Sequence, residues 1–155
     1  MAPSSLLALV SLATLLAPLG AQELAPSAVE LRPHPQVPLA FDKTELSGKA
    51  GSRVTLTLNN IDGPLQQPHN FVLIKPGKID AVGTLATAMI TDPKAIEKNY
   101  IPEQSTDIIA HTPLVQPGES VTIEFTLPAE PGDYPFMSTF PGHWLQMRGT
   151  FHVSP

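Results

Sequence analysis

The pattern of apolar and polar residues predicts an all-β protein with a Greek-key β-sandwich fold. Two segments, Val54–Leu58 and Val121–Leu127, alternate between apolar and polar residues with a period of two, as half-buried strands do. Glycine and proline turn signals separate these segments from several other short apolar runs, at the spacing typical of sandwiches. Residues 80–100 differ, because their apolar side chains recur at helical spacing until Pro93. We therefore expect a short helical insertion outside the sandwich.

The other strands are predicted from shorter apolar runs between turns. Tyr134 stands just after a turn at the head of its strand, which is the position of a tyrosine corner, whose hydroxyl bonds to nearby backbone. Pro135 cannot donate a ladder hydrogen bond, so that strand is expected at a sheet edge or a bulge. In chain order, these strands are Leu39–Leu46, Phe71–Ile74, Asp107–Thr112, Tyr134–Thr139 and Arg148–Val153.

The N-terminal part of the chain shows no strand pattern, and the folded domain is expected to span residues 39–155. Residues 1–21 carry no charged side chain, and their apolar run Leu6–Leu16 is shorter than the roughly 20 residues that span a bilayer. This is typical of a secretory signal peptide, with an uncleaved membrane anchor as the alternative. Residues 22–38 are rich in proline and are expected to form a lead-in. We expect a periplasmic or secreted protein without stable membrane insertion.

The composition excludes some classes of partner. The net charge is −5, and the nine lysines and arginines are scattered along the chain without forming a basic patch. Nucleic acid is therefore not an expected partner, because phosphate binding needs clustered positive charge. The chain has no cysteine, so its fold contains no disulfide. A domain of this length can be stable on its hydrophobic core alone.

The most informative stretch lies between the last two predicted strands. A tight apolar loop, Phe140–Gly142, is followed by His143 and, four residues later, by Met147. An imidazole and a thioether presented from one loop can both reach one centre. This pair of donors suits copper better than calcium or magnesium. The spacing by itself recurs often by chance, so the evidence lies in the whole string.

The string Tyr134–Phe151 resembles the C-terminal copper loop of the small blue-copper proteins, the cupredoxins, and is most similar to the azurin and auracyanin branch. In that family the loop reads Cys-Thr-Phe-Pro-Gly-His, three residues, then Met. This chain matches each named position except the first, which is Ser138. The resemblance implies a cupredoxin fold and identifies His143, Met147 and Ser138 as the residues at three ligand positions.

The family's first imidazole comes from a distant string, and His69 lies in a similar one. His69 is followed by Asn70, an aromatic residue, Val and Leu, as in azurin. The resemblance implies that His69 and His143 hold one metal ion although 74 positions separate them along the sequence. It also implies that Asn70 links the two metal loops through hydrogen bonds, with Thr139 as partner.

The serine changes the chemistry expected of this site. In blue sites a thiolate supplies the anionic charge and the strong colour. The hydroxyl of Ser138 is neutral and hard, so any copper held here is expected to be non-blue, an ordinary tetragonal (type 2) site. Three outcomes stay open: a type 2 copper site, a zinc site made of two imidazoles, an oxygen and water, or an empty relic.

The function expected from this resemblance is that of an exported copper-binding protein from an electron-carrier family. A redox partner is expected to dock on the apolar surface Phe140–Trp144, where the family has one histidine edge emerging. The alternatives are a metal-handling protein without redox traffic and a metal-free interaction domain. No enzyme is expected, because no acid stands near Ser138 and His143 in the sequence to complete a hydrolase site. The other histidines, His34, His111 and His152, are not expected to be ligands.

Overall fold

The computed structural model describes residues 26–155, in which two β-sheets pack face to face with one α-helix outside them. The predicted β-sandwich with a helical insertion is confirmed. The elements are β1 (Ser27–Leu31), β2 (Glu45–Lys49), β3 (Arg53–Asn59), β4 (Val72–Ile74), α1 (Ile79–Ala88), a 3₁₀ helix (Met89–Thr91), β5 (Ile108–His111), β6 (Ser120–Thr126), β7 (Gly132–Met137) and β8 (Arg148–Ser154).

The strands form one sheet of three and one of five. In the first the order is β1-β3-β6, and in the second it is β2-β8-β7-β4-β5. The pairings β1–β3 and β2–β8 are parallel, and the remaining pairings are antiparallel. The order places β4 beside β7, so the segment that leads into β4 and the segment that follows β7 meet at one end of the sandwich. These two segments carry the predicted site.

The hydrophobic core lies between the two sheets. The alternation predicted for β3 is exact in burial, because Val54, Leu56 and Leu58 are fully buried while the residues between them are partly exposed. From the five-stranded sheet, Phe136 and Phe151 enter the same core. Burial of side chains of this size contributes about 1.5–3 kcal/mol each, which makes this core the main source of stability.

The prediction that residues 22–38 form only a lead-in is wrong, because β1 lies within them. This strand pairs with β3 over five residues, and Leu31 at its end is fully buried. Conversely, the predicted first strand, Leu39–Leu46, is displaced: Leu39 has a positive φ of 54°, and the strand β2 begins only at Glu45. Most of β1 is exposed, so its sequence carries no alternation that a period-two search can detect.

The prediction for Pro135 is also wrong, whereas that for Tyr134 is confirmed. Strand β7 is an interior strand between β8 and β4, not an edge. The proline is tolerated because the β4 ladder covers only Phe136 and Met137, and Pro135 lies beyond it. The Tyr134 hydroxyl donates a 2.8 Å hydrogen bond to the carbonyl of Glu130, as in a tyrosine corner.

The helical insertion packs against the ends of the central strands. Helix α1 buries Val82, Gly83 and Ala86, and Val82 belongs to a second apolar cluster with residues of β4 and β7. Gly83 is required by a close approach, since a Cβ there would lie 2.4 Å from the ring of Trp144. The helix thus contacts the loop that carries His143.

The predicted signal peptide, residues 1–21, lies outside the described residues. Within residues 26–155, no helix is long and apolar enough to cross a lipid bilayer.

Candidate metal centre

His69 is fixed by the backbone of its own segment. Its N–H donates to the carbonyl of Val115 at 3.1 Å, and the N–H of Val115 donates back to the carbonyl of His69 at 2.8 Å. This isolated antiparallel bridge holds the residue just before β4. The side chain of His69 is only 2% exposed. The imidazole is therefore presented from a rigid position into the interior.

His143 is held by a compact turn after β7. Its N–H donates to the carbonyl of Phe140 at 3.0 Å, and its own carbonyl accepts from Met147 at 2.8 Å. Gly142 has a φ of +82°, a conformation that glycine adopts without strain. The turn directs the His143 ring inward, so that the side chain is 2% exposed.

The two imidazoles lie against each other. Nδ1 of His69 is 3.3 Å from Nδ1 of His143, and the ring centroids are 5.0 Å apart. The hydroxyl of Ser138, a fully buried side chain, lies 3.4 Å from the same nitrogen of His143. The structure thus brings together His69, His143 and Ser138, three of the four residues that the sequence singles out.

Met147, the fourth residue, lies beside them. Its carbonyl accepts a 2.9 Å hydrogen bond from the N–H of Ser138, and its own N–H is bonded to the carbonyl of His143. The side chain is fully buried and belongs to the main core cluster. These contacts fix the backbone of Met147 between the two other loop residues.

Asn70 links the two loops, as the resemblance implies. Its Nδ2 donates to Oγ1 of Thr139 at 2.8 Å and to the carbonyl of Asn99 at 2.9 Å. Its Oδ1 accepts from the N–H of Thr139 at 2.7 Å and from the Ser138 hydroxyl at 3.3 Å. The side chain is fully buried, so removal of the amide would leave the N–H of Thr139 without its buried partner. Asn70 therefore sets the position of the His69 segment relative to the Ser138 loop.

Burial keeps both imidazoles neutral. It lowers the pKa of His69 to about 4, and the charge of a protonated His143 would lower it in the same direction. Burial likewise lowers the pKa of His143 to about 4. At neutral pH each ring therefore has one nitrogen lone pair that can bind a metal ion, without a proton to displace from a charged imidazolium.

The spacing of the two nitrogens fits a bound metal ion. Two metal–nitrogen bonds of about 2.0–2.1 Å at a tetrahedral angle place their nitrogens about 3.3 Å apart. That is the separation found between the two Nδ1 atoms. Among residues 26–155, no three His, Cys, Asp or Glu side chains converge as a metal site. Another donor beside the two imidazole nitrogens is the Ser138 hydroxyl, 3.4 Å from Nδ1 of His143.

Aromatic and apolar side chains surround His143. The ring of Phe140 lies 4.9 Å from that of His143 and 5.4 Å from that of Tyr100, measured between centroids. The indole N–H of Trp144 donates to Oγ1 of Thr87 on α1 at 3.0 Å. Leu145 in the same loop is 60% exposed. This apolar surface is present as the sequence predicts, but no edge of His143 emerges from it.

The His143 ring has no exposed edge because Gln67 covers it, a contact that the sequence did not predict. Its Oε1 lies 3.0 Å from Nε2 of His143 and covers the outer nitrogen of the ring. Glutamine at this position follows no motif, and 76 positions separate the pair. The packing of Trp144 against Gly83 was also not predicted, because a glycine within a helical pattern usually indicates only a less stable helix.

The remaining histidines lie away from this site. His152 is exposed on β8, where Nδ1 contacts Oδ1 of Asp133 at 2.7 Å and Nε2 contacts Oε2 of Glu45. His34 accepts backbone hydrogen bonds from the two residues that follow Pro35, which makes it part of a local turn. His111 is the exposed last residue of β5.

The sequence and the fold both match known copper proteins. The family model for copper binding proteins of the plastocyanin/azurin family matches residues 28–154. Auracyanin-A of Chloroflexus aurantiacus is 40% identical over 116 residues, which cover 75% of this chain and 68% of that protein. Auracyanin-B of the same organism is 37% identical over 129 residues, which cover 82% of this chain and 52% of that protein. The chain therefore spans about half the length of auracyanin-B.

Solved structures give the same result. The structure of auracyanin A from Chloroflexus aurantiacus, described as a blue copper protein, covers 84% of this chain and is itself covered completely, with a TM-score of 0.72 and 37% identity. An azurin from the methylotroph Methylomonas sp. strain J has a TM-score of 0.69 at 20% identity, covering 84% of this chain and all of its own length. The second likeness shows the fold alone.

Proposed function

The chain belongs to the cupredoxins, the plastocyanin/azurin family of copper-binding electron carriers, and from that premise we propose that it is an exported copper-binding protein whose pocket uses His69 and His143 as ligands. The observation that carries the proposal is the 3.3 Å separation of two neutral, buried Nδ1 atoms. A metal ion of ordinary bond length fits between them with little movement of either ring. Ser138 and Met147 are the proposed further ligands.

The absence of cysteine determines the kind of copper site we propose. Ser138 lies where the family has its thiolate, and the chain contains no cysteine that could replace it. The donors left to the pocket are two imidazoles, a hydroxyl, a thioether and water, all of them neutral. Such a set favours a tetragonal, non-blue Cu(II) centre over the trigonal blue type.

Copper, when bound, would supply a one-electron couple, and the chain's own residues do the rest. Burial of both imidazoles keeps their lone pairs free of protons near neutral pH. The Asn70 hydrogen bonds hold the two loops at one spacing, which reduces the rearrangement required when the charge of the centre changes. The aromatic rings of Phe140 and Tyr100 restrict the access of water.

A redox partner is proposed to dock on the apolar surface around the His143 loop. Leu145, 60% exposed, and Leu65, 36% exposed, provide apolar contact area on loops next to the site. Nucleic acid is not a proposed partner. Export rests on the uncharged apolar run of residues 1–21, and the proposed location is periplasmic or secreted.

Two alternatives use other features of the same site. The neutral donor set also suits Zn²⁺, so a metal-handling protein without redox activity is the first alternative. A metal-free interaction domain is the second. A hydrolase is not proposed, because the outer nitrogen of His143 faces the amide of Gln67 rather than a carboxylate that could orient it as a base.

The test is to titrate the metal-free protein with Cu(II) and to measure binding by calorimetry. We expect one ion per chain, and His69→Ala should weaken binding by at least about 100-fold, beyond the range seen when only a residue behind a ligand is lost. His152→Ala is the matched control and should leave the affinity unchanged. Competition between Cu(II) and Zn(II) for the same site distinguishes the proposed copper protein from the zinc-binding alternative. If Cu(II) binds no better to the native chain than to His69→Ala, the proposed function is wrong.

A further inference from the structure

Gln67 covers the outer edge of the His143 ring. Its side-chain oxygen lies 3.0 Å from Nε2, and His143 is 2% exposed although its loop is at the surface. The inner nitrogen of the same ring faces His69 and Ser138 at 3.3 and 3.4 Å. Both nitrogens of this imidazole are therefore engaged by specific polar atoms, one outside the pocket and the others inside it.

The amide of Gln67 is presented from an anchored backbone. The carbonyl of Gln67 accepts a 2.9 Å hydrogen bond from Nδ2 of Asn60, which is 4% exposed. The same Nδ2 donates to the carbonyl of Val115 at 2.9 Å, and Val115 is bridged to His69. Pro68 follows, with its fixed φ. The side chain thus starts from the same rigid segment that holds His69.

An amide oxygen can only accept a hydrogen bond, so Nε2 of His143 must be the donor. In a neutral imidazole one nitrogen carries the hydrogen and the other the lone pair. The contact with Gln67 therefore leaves the lone pair on Nδ1, facing the pocket. The 3.3 Å contact between the two rings is then a hydrogen bond only if Nδ1 of His69 is the donor. In that metal-free arrangement His69 carries its hydrogen on Nδ1, which must move to Nε2 before Nδ1 of His69 can bind a metal ion.

We propose that Gln67 is a positioning residue: its side-chain oxygen fixes the His143 tautomer with Nδ1 free for a metal ion, and its amide separates the imidazole from any docking partner. This inference rests on the proposed function for its use, although the tautomer itself can be tested without metal. A partner that docks on the apolar surface would then meet an amide group at its centre, not a bare histidine edge.

The first test is the tautomer of His143 in the metal-free full-length protein, read from long-range proton–nitrogen spectra of a sample with ¹⁵N-labelled histidine. The native chain and Gln67→Glu, which keeps an acceptor oxygen, should show hydrogen on Nε2. Gln67→Leu and the smaller Gln67→Ala remove the acceptor and should raise the population with hydrogen on Nδ1. The control is Gln66→Leu, because the exposed Gln66 side chain reaches only the carbonyl of Gly63 at 3.5 Å. Equal tautomer populations in the native chain and both acceptor-free variants would overturn the proposal.

The second test is the Cu(II) dissociation constant of the same proteins. Loss of a group that orients a metal-binding histidine costs about 10- to 100-fold in affinity, so we expect a loss of about tenfold in Gln67→Leu and none in Gln66→Leu. If the tautomer shifts in the variants but neither the native chain nor any variant binds Cu(II), the positioning role stands and the proposed function fails. If Cu(II) binds with equal affinity to all variants and the tautomer is unchanged, the role of Gln67 fails while the proposed function stands.

Discussion

His69 and His143 lie buried against each other at one end of the sandwich, whereas His152 lies on an exposed strand between two carboxylates. Burial lowers the pKa of each buried ring to about 4. Hydrogen bonds that His152 donates to the carboxylates of Asp133 and Glu45 raise its pKa. The same side chain is thus kept neutral in one region and favoured as a cation in the other, and only the neutral pair offers lone pairs to a metal ion.

The difference also concerns how each region is supported. The buried pair depends on two loops held together by the Asn70 amide, and on the packing of α1 against Trp144. His152 depends only on its neighbours in the sheet, since Asp133 faces it across the β7–β8 ladder and Glu45 lies on the adjoining strand β2. Changes at a distance should therefore affect the first region and spare the second.

The largest effect is expected for Asn70→Ala. The variant leaves the N–H and hydroxyl of Thr139 without their buried partner, and one unsatisfied buried group costs about 1–3 kcal/mol. We expect a loss of about 3 kcal/mol in the free energy of unfolding and weaker Cu(II) binding, measured by urea denaturation and calorimetry. Asn59→Ala, which removes only an exposed 3.4 Å hydrogen bond to Glu30, is the control and should change stability by about 0.5 kcal/mol or less. Equal losses in both variants would show that Asn70 does not link the loops.

A smaller effect is expected for Gly83→Ala. Alanine favours a helix by about 1 kcal/mol over glycine, but its Cβ would lie 2.4 Å from Trp144. Overpacking costs about 1–3 kcal/mol, so the net change should be a loss of about 1 kcal/mol. Trp144 is the only tryptophan, so its fluorescence should shift as the ring moves. Thr84→Ala, on the exposed face of the same helix, should leave the emission unchanged; unchanged emission in Gly83→Ala would contradict the packing.

The pH dependence of stability separates the two regions. The pKa values of His69 and His143 are lower in the folded protein than in the unfolded chain, so the unfolded state binds more protons between about pH 6.5 and 4. The metal-free protein should therefore lose stability as pH falls through this window. The raised pKa of His152 acts in the opposite direction, and its contribution is present in acid and lost as pH rises through the folded pKa.

The variant His152→Gln isolates the contribution of His152 to the pH dependence of stability. His152→Gln should be slightly less stable than the native chain near pH 5, and this deficit should vanish in alkaline solution. The measurement is the midpoint of urea unfolding at a series of pH values. The acid loss due to the buried pair should remain in this variant. A deficit that does not change with pH would show that His152 carries no charge on the sheet.

Much of the fold was predictable because half-buried strands alternate visibly, as in β3 and β6. Strand β1 was not, since four of its five residues retain exposed area and only Leu31 reaches the core fully. The position of β7 inside its sheet was also missed, because the ladder that ends before Pro135 is set by β4, a distant segment. Local sequence carries little information about where a neighbouring strand stops.

The candidate site was likewise predicted only in part. The residues His69, His143, Met147 and Ser138 were singled out through a family resemblance in two strings, and not through periodicity. Gln67 follows no such string, and its contact with His143 depends on how two loops meet. The closeness of the imidazoles was expected, but the closed outer edge of His143 was not.

The central claim is that this pocket has the cupredoxin arrangement and lacks only the thiolate. The most direct test compares the Cu(II) absorption and electron paramagnetic resonance spectra of the native chain, Ser138→Cys and Ser138→Ala. The native chain and Ser138→Ala should lack intense absorption near the red end of the visible spectrum and should give a tetragonal signal. Ser138→Cys should turn blue, because a buried thiol of similar volume completes the ligand set. A blue native protein, or a Cys variant that binds Cu(II) and stays pale, would contradict the claim.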